Sequence, residues 1–129
     1  MLENASLVVF IPVSAIGVAR AFYESTLGFA VFEENSFALV INANGTRIRL
    51  CPVPDPHPQP FTVAGWEVAD IDATISGPDA RGVTFKRFEG MDQRANGVWQ
   101  SPSGDLVAWF ADLDDNILSL TQYALLEGT

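Results

Sequence analysis

Apolar and polar positions along this 129-residue chain fall into two successive runs of the same kind. Residues 6–12 (Ser-Leu-Val-Val-Phe-Ile-Pro) are β-branched and apolar and predict a buried strand that ends at a proline. Ile16, Ala19, Phe22, Tyr23 and Leu27 then recur at helical spacing, with Ser14 as candidate N-cap and Gly28 placed as a C′ residue. Short strands are predicted at about 29–33, 37–42 and 46–52, the last two joined by Asn44-Gly45, a strong two-residue hairpin turn. Residues 52–60 carry five prolines and read as an extended linker. The order then restarts. A strand is predicted over 61–68, then a helix capped by Asp70 that runs through Ile71, Ala73 and Ile75 towards Gly82. Gly77-Pro78 lies inside that helix and predicts a break or restart. Strands follow at about 83–88, 97–100, 105–111 and 116–122, with Ser103-Gly104 and Asp114-Asp115 as turns.

The chain therefore reads as two related half-chains, module 1 over about 5–52 and module 2 over about 61–123, joined by the proline linker. Residues 42–50 and 112–120 echo each other as a turn followed by an apolar strand, which is what a duplicated unit produces. Each half is too small to bury a sheet face alone. The expectation is one α+β domain, 1–129, in which two modules pack together around a cavity.

Charge narrows the function. Sixteen acidic and seven basic residues give a net charge of −9. With no run of Lys or Arg, nucleic acid and anionic membrane surfaces are not expected as partners. No apolar run approaches the ~20 residues of a membrane span. Cys51 is the single cysteine, and the first residues lack the charged and apolar regions of a signal peptide. Both fit a cytoplasmic protein.

Several segments carry a resemblance. They are Ala21-Phe22-Tyr23-Glu24 with Leu27-Gly28-Phe29, Val68-Ala69-Asp70-Ile71-Asp72-Ala73, Arg81-Gly82-Val83, and Phe110-Ala111-Asp112-Leu113-Asp114-Asp115-Asn116-Ile117-Leu118-Ser119-Leu120. In this order and spacing, over about residues 5–123, they resemble the vicinal oxygen chelate superfamily of glyoxalases, bleomycin resistance proteins and extradiol dioxygenases. In the last segment Leu113 and Asp115 stand where the family usually has Pro and Gly. The resemblance implies paired βαβββ modules forming a curved mixed sheet around a pocket, often in a homodimer. It also implies a divalent ion held by His, Gln or Glu at positions that fall here at about Val8, Arg49, Val63 and Ser119. Valine cannot ligate, arginine is a cation and serine is a weak ligand. No metal site and no cofactor are expected. Asp112-x-Asp114-x-Asn116 opens like a calcium loop but lacks the sixth-position Gly and twelfth-position Glu, so it reads as a polar turn. His57, between prolines, reads as an exposed loop residue.

If those four positions face inward, strand alternation turns Phe10, Arg47, Cys51, Gly65, Glu67, Ile117 and Thr121 the same way. Arg49, with Arg47, is the candidate positive charge that replaces the metal and binds a carboxylate or enolate-like oxygen. Glu67 is its candidate resting partner, or a general base if burial raises its pKa. A purely structural Arg49–Glu67 pair, or a register that exposes both arginines, accounts for the same residues. Ser119 and Thr121 complete the polar lining. Trp99 and Trp109, in the 97–111 hairpin, are candidates to stack on a planar ligand, to close a pocket mouth or to build a dimer face. Trp66 has the opposite parity and is expected against a helix. Cys51 reads as a buried thiol and Tyr23 as core. No nucleophile triad and no phosphate loop can be assembled. The reading is a metal-independent small-molecule binder, with a homodimer expected. A lyase, isomerase or dioxygenase with divergent or metal-free chemistry is the alternative, and a subunit that has lost its ligand is a third.

Overall fold

A computed structural model describes residues 1–125. They form two compact units, Met1–Pro58 and a second beginning at Gln59. The element order is strand, helix and three strands in each.

In the first unit, β1 (Val8–Val13) leads into α1 (Ile16–Arg20), followed by β2 (Ala30–Glu34), β3 (Leu39–Ala43) and β4 (Thr46–Pro52). The sheet order is β1-β4-β3-β2. β1 is parallel to β4, and the other pairs are antiparallel. The β3–β4 turn follows from its two residues: Asn44 and Gly45 have φ of 52° and 94°, the left-handed pair that lets a tight hairpin keep the strand twist. The Asn42 side chain locks it by accepting from the Gly45 N–H at 2.6 Å.

Two expectations around the first helix are corrected. Ala15, not Ser14, is the N-cap residue, and no side chain caps the helix. The helix also does not stay α-helical: Ala21–Thr26 widens to a π-turn, with the Leu27 N–H reaching back five residues to the Phe22 carbonyl at 2.9 Å. The extra residue helps bury both Phe22 and Tyr23, whose rings meet edge to face at 5.3 Å. They join a core of Ile11, Val13, Leu39, Ile41, Ile48 and Leu50. Each such side chain stabilises by roughly 1.5–3 kcal/mol through lost apolar exposure.

The second unit repeats the plan. β5 (Thr62–Glu67), α2 (Ile71–Ala80), β6 (Trp99–Gln100), β7 (Leu106–Ala111) and β8 (Ile117–Gln122) give a sheet ordered β5-β8-β7-β6, again with its first and last strands parallel. Asp70 caps α2 by accepting from the Ala73 N–H at 3.1 Å. Gln122 Oε1 accepts from the Ile71 N–H at 2.9 Å, pinning the helix start to the sheet.

The break expected at Gly77-Pro78 does not occur, and α2 is continuous to Ala80. Pro78 sits in the last turn, where little helix remains to be disrupted, and its carbonyl accepts from the Arg81 and Val83 N–H groups. The strand expected over 83–88 is absent. Among the described residues, the one backbone bond that ties that segment to β7 runs from Lys86 N–H to the Trp109 carbonyl at 2.7 Å. The Gln93 side chain takes the groups a ladder would use, accepting from Phe88 N–H at 2.7 Å and donating to the carbonyls of Lys86 at 2.9 Å and Gly97 at 2.8 Å.

Candidate functional site

One face of each sheet is packed under its helix, and the other carries the residues singled out from sequence. In the first unit the register sets Phe10 beside Arg49 and Val40, and Val8 beside Arg47 and Asn42. Directly paired residues point the same way, so Phe10, Arg47 and Arg49 share with the buried Val40 the sheet face opposite Ile11, Ile48 and Leu50. Phe10 is 64% exposed. The Arg47 guanidinium lies 4.5 Å from the centre of the Phe32 ring, a cation–π contact. Arg49 is half-buried, and among the described residues no acidic group pairs with it. Cys51 is half-buried on the same strand, its Sγ 3.7 Å from the Arg49 carbonyl.

In the second unit, Gly65, Ser119 and Trp109 form one row across three strands. Glu67, Thr121, Val107 and Trp99 form the next. A Cβ at Gly65 would overlap Ser119 Oγ, so an added methyl there would have to displace the serine hydroxyl. The serine, 7% exposed, thus fills the notch the glycine leaves. Trp109 is flanked by aromatic rings: Phe88 edge-on at 5.3 Å and 88°, and Trp99 tilted at 6.2 Å and 38°. Beside them lies a groove of about 340 Å³ lined by Phe61, Thr62, Phe88, Met91, Trp109 and Ile117. Trp66 pairs with Leu120, on the helix side of the sheet.

The candidate residues are thus gathered into two sets: Phe10, Arg47 and Arg49 in the first unit, and Glu67, Trp99, Trp109, Ser119 and Thr121 in the second. Glu67 is exposed and has no hydrogen-bond or ion-pair partner among the described residues, so the burial a general base would need is missing around it. Sequence reasoning missed Phe32, Phe61, Phe88 and Met91. Phe32 sits at a bulge between Val31 and Glu33 that breaks strict alternation. Phe88 and Met91 belong to the loop that replaces the expected strand.

The four metal-ligand positions do not fit a divalent cation. Val8 and Arg49 offer no donor, and Val63 falls at the irregularity between Thr62 and Ala64. Ser119 brings one hydroxyl, a weak ligand. Among the described residues no three His, Cys, Asp or Glu side chains converge as a metal site would require. No described helix is long and apolar enough to cross a membrane.

Residues 6–122 match the family model of the Glyoxalase/Bleomycin resistance protein/Dioxygenase superfamily. Solved structures of the same fold include a glyoxalase family protein from Bacillus anthracis, at 15% identity, covering 94% of this chain and 96% of that one, with a TM-score of 0.74. Another is a superfamily member from Sphaerobacter thermophilus DSM 20745, at 22% identity, 95% and 100% coverage and TM-score 0.72. A third is TnmS3, an antibiotic binding protein from Streptomyces sp. CB03234, at 23% identity, 96% and 99% coverage and TM-score 0.71. At such identities the likeness is one of fold. No curated protein matches the sequence.

Proposed function

As the chain belongs to the Glyoxalase/Bleomycin resistance protein/Dioxygenase superfamily, we propose that it is a small-molecule-binding member that works without a metal ion. Its ligands are planar or anionic compounds. The observation that carries this reading is the aromatic cluster Phe88–Trp109–Trp99 beside a groove on the free face of the second unit. Tilted and edge-on rings of this kind offer a planar ligand large contact area with few rotors to freeze. Ser119 and Thr121 supply hydroxyls on that face.

On the first unit, Arg49 and Arg47 supply positive charge for anionic groups. A cation without an acidic partner has lost little by being half-buried only if something negative meets it. The fold neighbour TnmS3, an antibiotic binding protein, supports binding as a function for this architecture. A homodimer is part of the reading.

Calorimetric titration with 2-naphthoate tests it, with and without prior treatment by a chelator. Binding that persists unchanged after chelation is expected. Trp109→Ala weakens it by about 10-fold, the equivalent of ~1.4 kcal/mol of lost stacking. Binding that requires added metal, or that is indifferent to Trp109→Ala, refutes the proposal. Sedimentation as a monomer would remove the dimer alone.

A further inference from the structure

The second unit has a second cavity, of about 470 Å³, with a lining distinct from that of the aromatic groove. Ile75 and Asp79 of α2 line it, together with Thr84, Phe85, Arg87 and Asn96 from the segment that follows. Its size is that of a small-molecule site, roughly 300–1,000 Å³. Ile75 and Asp79 are four residues apart and share one face of the helix. Ile75 and Phe85 are buried and give the cavity an apolar floor.

The walls are built. Asp72 of α2 accepts from Asn96 Nδ2 at 2.7 Å and lies 3.7 Å from Arg94 Nη1. These contacts fix the 94–96 loop against the helix. Arg87 is held by the same loop: Nη1 donates to the Arg94 and Ala95 carbonyls at 2.9 and 3.3 Å, and Nη2 donates to the Gln93 carbonyl at 3.1 Å.

Those three bonds leave the Nε–H and one Nη2 hydrogen unused, and a guanidinium with two free N–H groups can grip a carboxylate through a pair of bonds. Carbonyl dipoles orient the cation but do not neutralise it, and among the described residues no carboxylate pairs with Arg87. The Asp79 carboxylate likewise has no side-chain partner among them. The cavity therefore carries at its exposed rim a cation oriented by three carbonyls and an anion with no side-chain partner among the described residues.

We propose that this cavity binds a zwitterion of the α-amino-acid class with an apolar side chain. The ligand's carboxylate meets Arg87, its ammonium meets Asp79, and its side chain rests on Ile75 and Phe85. The site shares no lining residue with the aromatic groove.

The test is an amide-resolved NMR titration of the whole chain with L-phenylalanine, 3-phenylpropionate and phenethylamine. L-Phenylalanine is expected to shift amides in 75–79, 84–87 and 94–97. Each analogue, lacking one charge, is expected to bind about 10-fold more weakly, the loss typical of one charge-assisted contact. Asp79→Asn, at an exposed helix position, is expected to erase the preference for L-phenylalanine over 3-phenylpropionate. Arg87→Lys keeps the charge without the fork and is expected to weaken both carboxylates. No shifts in these segments up to about 10 mM ligand, where sites of mM affinity would be filled, overturns the proposal. So does equal binding of the three probes, or an Asp79→Asn variant with unchanged selectivity.

Discussion

Replacing Gln93 by glutamate exchanges one terminal NH2 for an oxygen and leaves the shape of the side chain unaltered. The surroundings fix which end of the amide is which: Oε1 faces a donor, Phe88 N–H, while Nε2 faces two acceptors, the Lys86 and Gly97 carbonyls. Gln93→Glu keeps the first bond and loses the other two, each a net ~1 kcal/mol. It also sets a half-buried carboxylate against two carbonyl oxygens that now lack donors, which costs about as much again. The expected loss is about 2–4 kcal/mol at pH 8, a large share of the ~5–15 kcal/mol typical of a domain.

The introduced carboxyl is disfavoured when charged, so its pKa in the folded protein lies above the unfolded value of ~4.3. The ionisation penalty is absent below that unfolded value, grows as pH rises and is complete above the folded one. Urea unfolding followed by tryptophan fluorescence, referenced to the parent at each pH, measures it. The loss at pH 5 should be roughly half that at pH 8. A loss under ~0.5 kcal/mol at pH 8, within the range of ordinary surface substitutions, refutes the account of how this loop is held. An equal loss at both pH values does the same. Because the loop carries Phe88 and Met91 to the groove, the same variant should bind 2-naphthoate more weakly.

Three further outcomes follow from local geometry. Asp112 is 5% exposed and its two oxygens accept from Asp114 N–H, Asn116 N–H and Asn116 Nδ2 at 2.8–2.9 Å. Asp112→Ala should therefore cost about 3–5 kcal/mol by urea titration, and Asp112→Asn about half as much. Gly65→Ala should cost about 1–3 kcal/mol, and Gly65→Ala with Ser119→Ala should recover most of it. Ser119 Cβ is 3.7 Å from the added methyl, an ordinary contact, once Oγ is gone; an additive double variant would contradict this. Asp70→Ala should lower stability by about 1 kcal/mol, the usual cost of an N-cap, read as a fall in thermal midpoint.

What was legible in the sequence is what short-range chemistry decides. β4 runs from Thr46 to Pro52 as expected, because Asn44-Gly45 sets the register before any distant contact is needed. Asp70 caps its helix, and Gly28 adopts a positive φ of 86° at the end of the first helical segment. Strand parity placed Phe10, Arg47 and Arg49 together, and likewise Glu67, Ser119 and Thr121, since a pleat allows only two directions. It failed at the irregularities near Phe32 and Val63, where one extra residue resets the alternation. The 83–88 segment looked like a strand because Val83 and Phe85 alternate as one would. A side chain from further along the chain, Gln93, decided otherwise, and no local pattern signals that. Nor does composition show that Arg87 is oriented by three carbonyls and carries no carboxylate.

The parallel pairing of first and last strands in each unit governs the order in which the fold can be made. β3 and β4 can zip as soon as their turn forms, on the microsecond scale of hairpins. β1 can be seated only after every intervening element has been gathered, so the entropy of closing most of a module falls on a single docking event. During synthesis the Val8–Val13 strand must wait for residues up to 52 to emerge. Until then its apolar side chains have no ladder partner, and the nascent chain carries it exposed.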